Sequence, residues 1–213
     1  MKRIFSIMLV VGLAWAAATA TTSYDLKQMR AWEHVEATGD LNGDGVDDLV
    51  IIATPDYKAH TRVRDDGYVY NFNRPLLAIY FGEKGGKHTL WRGYDHVVPA
   101  RVDESLSITP SLQITRRGAL VISLEYFASA GGWDEPTYSY TFRYQDGDFM
   151  LIGKDEEHLI RNTGETVKDS YNFVTRKKQH TSGNVSKKAK ARSRWSSLPK
   201  EPLKALGSFT LGE

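Results

Sequence analysis

The residues best able to do chemistry lie in one stretch, GDLNGDGVDD, from Gly39 to Asp48. Counted from Asp40, the oxygen-bearing side chains of Asp40, Asn42 and Asp44 fall at positions 1, 3 and 5. Gly45 stands at 6, Val46 at 7 and Asp48 at 9. This is the order of the first nine positions of a calcium loop. Calcium takes roughly six to eight hard oxygens at about 2.3–2.6 Å, and alternate side chains on a tightly curled backbone converge on one centre. Gly45 permits a sharp turn at left-handed φ, which aims the Val46 carbonyl inward. Asp48 closes the ring directly or through water, and Asp47 points to solvent. The candidate metal ligands are therefore Asp40, Asn42, Asp44, Asp48 and the backbone of Val46, with calcium as the ion. The competing reading is a polar turn, since Asp, Asn and Gly are all turn formers. Three carboxylates crowded without a cation would repel one another, which favours the ion. No catalytic partner stands nearby, so a structural role is expected, with calcium cross-linking strand ends.

The flanking elements decide what kind of loop this is. An EF-hand places a bidentate Glu at position 12. Here position 12 is Ile51, inside the apolar run Leu49 to Thr54, which reads as a strand buried on both faces. The loop therefore joins two strands, the first beginning near Trp32, rather than two helices. Upstream, Tyr24 to Met29 predicts a short helix with Ser23 as its cap. Downstream, residues 57–73 read as a loop or exposed hairpin. Leu76 to Phe81 is a further strand closed by Gly82 and the Gly85-Gly86 turn, and His88 to Trp91 continues the sheet. A hairpin turns at Arg116-Arg117-Gly118, between Leu112–Thr115 and Ala119–Phe127. Tyr138, Tyr140, Phe142 and Tyr144 alternate with polar residues before the turn Gln145-Asp146-Gly147-Asp148. Phe149–Ile152 and Tyr171–Thr175 supply two more strands. The expected fold class is mainly β, with antiparallel sheets forming a sandwich or propeller-like fragment and little helix.

The segment VEATGDLNGDGVDDLVIIATP, followed by LAIYFGEKGG, resembles one FG-GAP or VCBS-type repeat, the calcium-loop blade of integrin-like propellers and of many secreted bacterial proteins. The resemblance covers about residues 32–86. It implies calcium held by Asp40, Asn42, Asp44 and Asp48, with Val46 at the backbone position. A propeller needs several such blades, and one loop of this type is present. A lone repeat built into another β fold is expected, the alternative being further blades that have lost their loops.

The remaining candidates read more plainly. His34, His60, His88, His96, His158 and His180 form no zinc-binding spacing. No nucleophile elbow or phosphate loop is present. Asp155-Glu156-Glu157-His158 reads as a solvated turn, and Trp133 as packing on the tyrosine face rather than as a ligand platform. With no cysteine, the chain cannot be a thiol enzyme or a disulfide scaffold. Catalytic residues and an organic cofactor are accordingly not expected.

Lys2 and Arg3, the apolar run Ile4–Ala18 and the site Ala18-Thr19-Ala20 read as a secretory signal peptide over residues 1–20, with a membrane anchor as the rival. No later run reaches the roughly 20 apolar residues of a spanning helix. A periplasmic or secreted location follows. Residues 21–175, the β domain, carry 16 basic and 24 acidic side chains, whereas 176–213 carry 10 and 2. Residues 176–194 read as a basic mobile loop and 195–213 as a segment docking back on the body. The basic segment fits a solvated loop, or contact with an anionic envelope polymer or lipid headgroups; for the protein as a whole the expected partner is such a polymer or another protein. It lacks the interleaved aromatics of a nucleic-acid surface. The functional expectation is an exported calcium-binding β protein with a structural or interaction role and no chemistry of its own. The alternatives are an envelope-polymer or carbohydrate-binding module and, more remotely, a hydrolase.

Overall fold

The computed structural model describes residues 24–187 and 190–212. The signal-peptide reading of residues 1–20 and the Ser23 cap lie outside them. A short helix, α1 (Leu26–Ala31), opens the described chain. Its N-cap is Asp25, whose carboxylate accepts from the Gln28 N–H at 3.0 Å. The helix therefore starts two residues later than the sequence predicts, where an acceptor for its orphan N–H groups is available.

Two antiparallel sheets follow. The first has β1 (Glu33–Gly39), β2 (Asp48–Thr54), β5 (Leu76–Glu83) and β6 (Lys87–Tyr94), in the order β1-β2-β5-β6. A two-stranded hairpin, β3 (Thr61–Val63) with β4 (Val69–Asn71), stands between β2 and β5. The second sheet is a seven-stranded meander. It runs through β7 (Leu106–Ile114), β8 (Ala119–Ala128), β9 (Asp134–Gln145), β10 (Asp148–Ile160), β11 (Glu165–Asn172), β12 (Lys177–Asn184) and β13 (Arg192–Ser197), each strand paired with the next. Pro110 falls within β7. It is tolerated because β7 is an edge strand, where a missing N–H breaks no ladder.

The apolar pattern explains the layering. Asp48 through Ala53 are all buried, and so are Leu76 through Tyr80. Val50, Ile52, Leu77 and Ile79 face the second sheet and pack with Leu120, Ile122, Leu124, Tyr140, Phe142 and Phe149. Leu49, Ile51, Ala78 and Tyr80 face the other way, against Met29 and Trp32. The alternating stripe of β9 is thus core at Tyr140 and Phe142, while Tyr138 and Tyr144 pack at its margin.

Two irregularities re-aim side chains. Between β5 and β6 the register shifts at Ile79/Tyr80, where Trp91 has no opposite residue. Trp91 packs against Phe81, Tyr144 and Phe149. In β10 the register shifts between Leu151 and Gly153. Phe149 and Leu151 lie opposite Tyr144 and Phe142. After the extra residue, Lys154 and Glu156 lie opposite Tyr140 and Tyr138. A one-residue slip exchanges the faces of a strand, so these even-numbered residues join the core-facing side.

The C-terminal third departs from the expected organisation. Residues expected as a basic loop form β12 and the first half of β13. The last strand expected at Tyr171–Thr175 is instead β11, ending at Asn172. Asp155–His158, expected as a turn, lie within β10. The cause is common to all three. These strands pair through polar side chains, as Asp169 does with Lys178 at 3.1 Å and with His180 at 2.8 Å, and such cross-strand pairs stabilise a sheet without apolar alternation. The sheet therefore runs on past residue 175, with β12 bonded to β11 along its length. Beyond β13, Leu206 and Leu211 are fully buried in the core, and the Leu151 N–H donates to the Lys204 carbonyl at 2.8 Å.

Phe142 is fully buried between the sheets. Phe142→Ala is expected to cost about 3–5 kcal/mol in urea unfolding. A loss below about 1 kcal/mol would mean that the sheets share no common core there.

Candidate functional site

The loop between β1 and β2 is built by its own side chains. The Asp40 carboxylate accepts from the Gly43 N–H at 2.7 Å and the Gly45 N–H at 2.9 Å. The Asn42 carbonyl oxygen accepts from the Asp44 N–H at 2.9 Å, and Asp44 accepts from the Val46 N–H at 2.8 Å. The Asn42 amide also donates to Asp44 at 3.1 Å. Such bonds from short polar side chains to nearby backbone are what favour Asp and Asn in turns. Gly43 and Gly45 both sit at φ +81°, the left-handed region that the tight path demands. Asp44, Gly45 and Asp47 are exposed, while Leu41 is buried beneath them.

Asp48 behaves differently. It is fully buried, and each carboxylate oxygen accepts a backbone N–H: Leu41 at 2.8 Å and Gly82 at 2.9 Å. It thereby ties the start of the loop to the end of β5. Burial pushes its carboxyl above the ordinary range, and the Asp44 charge adds to this. The hydrogen bonds from Gly82 and Leu41 act in the opposite direction. Gly82 must approach closely for this, since a Cβ there would run into the Asp47 carbonyl oxygen and the Val46 side chain. Gly118 makes a similar approach from the β7–β8 turn, where a Cβ would lie 2.8 Å from the Asp40 carbonyl oxygen. The loop, that turn and β9 together border a shallow cavity that Arg116, Arg117 and Arg143 also line.

Each predicted ligand is thus placed. Asp40, Asn42, Asp44 and Val46 lie on the outer loop, and Asp48 lies beneath it. All are hard oxygen donors, and an oxygen that accepts one N–H keeps a second lone pair. This donor chemistry suits a hard cation. Among the described residues, no group of three or more His, Asp or Glu side chains is arranged to hold a metal by itself. A complete set would draw on Asn42 and the Val46 carbonyl. Position 12, Ile51, is core. Gly82 was not legible as part of the site, because only strand pairing brings it to Asp48, 34 residues away.

Elsewhere, three of the histidines are oriented singly. His34 contacts the Trp32 carbonyl at 2.8 Å, His158 donates to Asp134 at 2.8 Å and His180 to Asp169. Trp133 does not pack on the tyrosine face. It is 60% exposed, with the Arg161 guanidinium 5.7 Å from its ring centre.

Stability measured in EGTA separates the two adjacent carboxylates. Asp48→Asn replaces an acceptor with an amide facing a backbone N–H and is expected to cost about 1–3 kcal/mol. Exposed Asp47→Asn should stay within about 0.5 kcal/mol of the parent. Equal losses would remove the clamp role.

The FG-GAP repeat family model matches residues 35–72. The match takes in β1 from Val35 onward, the acidic loop, β2 and the β3–β4 hairpin, and it stops short of β5. No curated protein and no solved structure matches the chain. Residues 35–72 are thus FG-GAP-type sequence, set in a mainly β protein whose seven-stranded sheet lies beyond the match.

Proposed function

We propose that this is an exported calcium-binding β protein with a structural or interaction role and no chemistry of its own. The observation that carries the reading is the loop itself. Five oxygen donors follow one another at alternate positions between two strands, inside the FG-GAP-type segment. Asp40, Asn42, Asp44 and Asp48 would hold the ion with the Val46 carbonyl. Calcium would supply positive charge where the Asp44 charge acts on buried Asp48 and would brace the β1–β2 turn against β5. Export rests on the sequence of residues 1–20. Among the described residues, no helix is long and apolar enough to cross a membrane.

A cation that binds only the folded state raises stability by mass action, by about 2.7 kcal/mol at a hundredfold excess over Kd. For a chain of this size that is roughly 5–10 °C in Tm. Addition of calcium after EGTA should raise the wild-type midpoint on this scale and leave Asp44→Ala unmoved. An unmoved wild type at millimolar calcium would reduce the loop to a polar turn.

A second reading, contact with an anionic envelope polymer, rests on β13. It is an edge strand exposed at every position, with Arg192, Arg194 and a 66% exposed Trp195. Retention on peptidoglycan that falls steeply with salt, and is lost in an Arg192→Ser/Arg194→Ser double variant, is the expected outcome. Salt-independent or undiminished retention would count against it.

A further inference from the structure

The second sheet has seven strands and its partner four, and part of the difference is covered by the C-terminal segment. Between that segment and strands β9–β11 lies a cavity of about 340 Å³. Tyr140, Leu151 and Phe173 wall it from the sheet side, and Leu198, Leu203 and Phe209 from the segment. The segment is held at both ends. The Leu198 N–H donates to the Arg176 carbonyl at 2.9 Å, and Lys204 accepts from Leu151 at 2.8 Å. The stretch between them, with Pro199 and Pro202, also lines the cavity.

The cavity also contains Lys154 and Glu156, which the β10 bulge turned onto this face. Their charged groups lie 2.7 Å apart, and their side chains are only 17% and 26% exposed. The Tyr171 hydroxyl donates to the second Glu156 oxygen at 3.1 Å. The Lys154 ammonium sits 5.6 and 5.2 Å from the ring centres of Tyr138 and Tyr140. A cation and an anion thus stand side by side in a ring-lined chamber, to which the covering segment adds the exposed Glu201 and Lys204. Bulges recur where a side chain is aimed at a ligand.

We infer that this cavity binds a small neutral molecule with an aromatic body and an amide edge. Its volume is at the lower end of ordinary ligand pockets, roughly 300–1,000 Å³. Its aromatic walls suit a flat ring. Lys154 and Glu156 already neutralise each other, and the exposed Glu201 and Lys204 at the rim also sum to zero, so a net charge on the ligand would be desolvated against a lining with no net countercharge. An amide fits the pair as it stands. Its carbonyl accepts from an ammonium with three donors, and its N–H donates to a carboxylate that keeps spare lone pairs. The inference is independent of the calcium loop, which lies on other strands.

The test is ligand-observed NMR on the full chain with N-benzylacetamide, against benzylamine and phenylacetate as charged counterparts. The neutral amide is expected to bind saturably and about tenfold more tightly than either. That ratio is the value of one hydrogen bond to a charged group. Lys154→Met should weaken it by a similar factor, and Leu203→Trp, which fills the chamber from the covering segment, should abolish it. Amide shift changes in the wild-type protein at Lys154, Tyr171 and Leu203 report the same site without any variant. Absence of saturable binding, preference for a charged counterpart, or shift changes confined to other surfaces would overturn the inference.

Discussion

The structure depends on one constraint: β2 and β5 are apolar on both faces. An antiparallel pair of this kind cannot leave a side open to water, because each face carries large aliphatic residues whose exposure costs roughly 1.5–3 kcal/mol apiece. The seven-stranded sheet covers one face, and α1 with Trp32 covers the other. The three-layer arrangement follows. The short helix, which has little stability of its own at six residues, exists because Met29 and Trp32 have a surface to cover.

The same pair positions the acidic loop. β2 begins with Asp48, the last residue of the loop pattern, and β5 ends beside Gly82, its distant partner. A carboxylate buried at the end of a core strand must have its oxygens satisfied, and two backbone N–H groups from separate segments do this. The loop therefore serves the fold through Asp48 whatever cation it meets. The outer residues Asp40, Asn42 and Asp44 remain toward solvent with donor capacity to spare. This division explains how one short sequence can be both a turn and a candidate metal loop.

The meander of the second sheet obeys a different rule along its length. Near β8 and β9 it is a core sheet, with Leu120, Ile122, Leu124 and Phe142 facing inward. From β10 to β12 the same face carries Lys154 and Glu156, which pair along β10, and Asp169, which pairs across the strands with Lys178 and His180. The acidic body and basic C-terminal segment thus meet inside one sheet. Burial of Leu206 and Leu211 then draws the end of the chain back across the sheet.

The sequence by itself determined the features that depend on local pattern. These are the β class, the doubly buried Leu49–Thr54 strand, the hairpin turns at Gly85-Gly86 and Gln145–Asp148, and a loop or exposed hairpin over 57–73, between which pairing of β3 with β4 decided. It also determined the oxygen donors from Asp40 to Asp48 and the FG-GAP resemblance. In each case the spacing of apolar residues, glycines or carboxylates is itself the physical cause. Tertiary structure alone decided what depends on register and distant partners. The β10 bulge placed Lys154 and Glu156 inside rather than outside, although residue alternation from Phe149 puts them on the opposite face. Strands β12 and β13 formed from segments almost without large apolar residues, because their pairing groups lie on neighbouring strands. Gly82 joined Asp48 because antiparallel pairing carried β5 alongside β2. A register shift of one residue costs nothing in composition yet exchanges the two faces of a strand, and that exchange becomes visible only once the strands are paired.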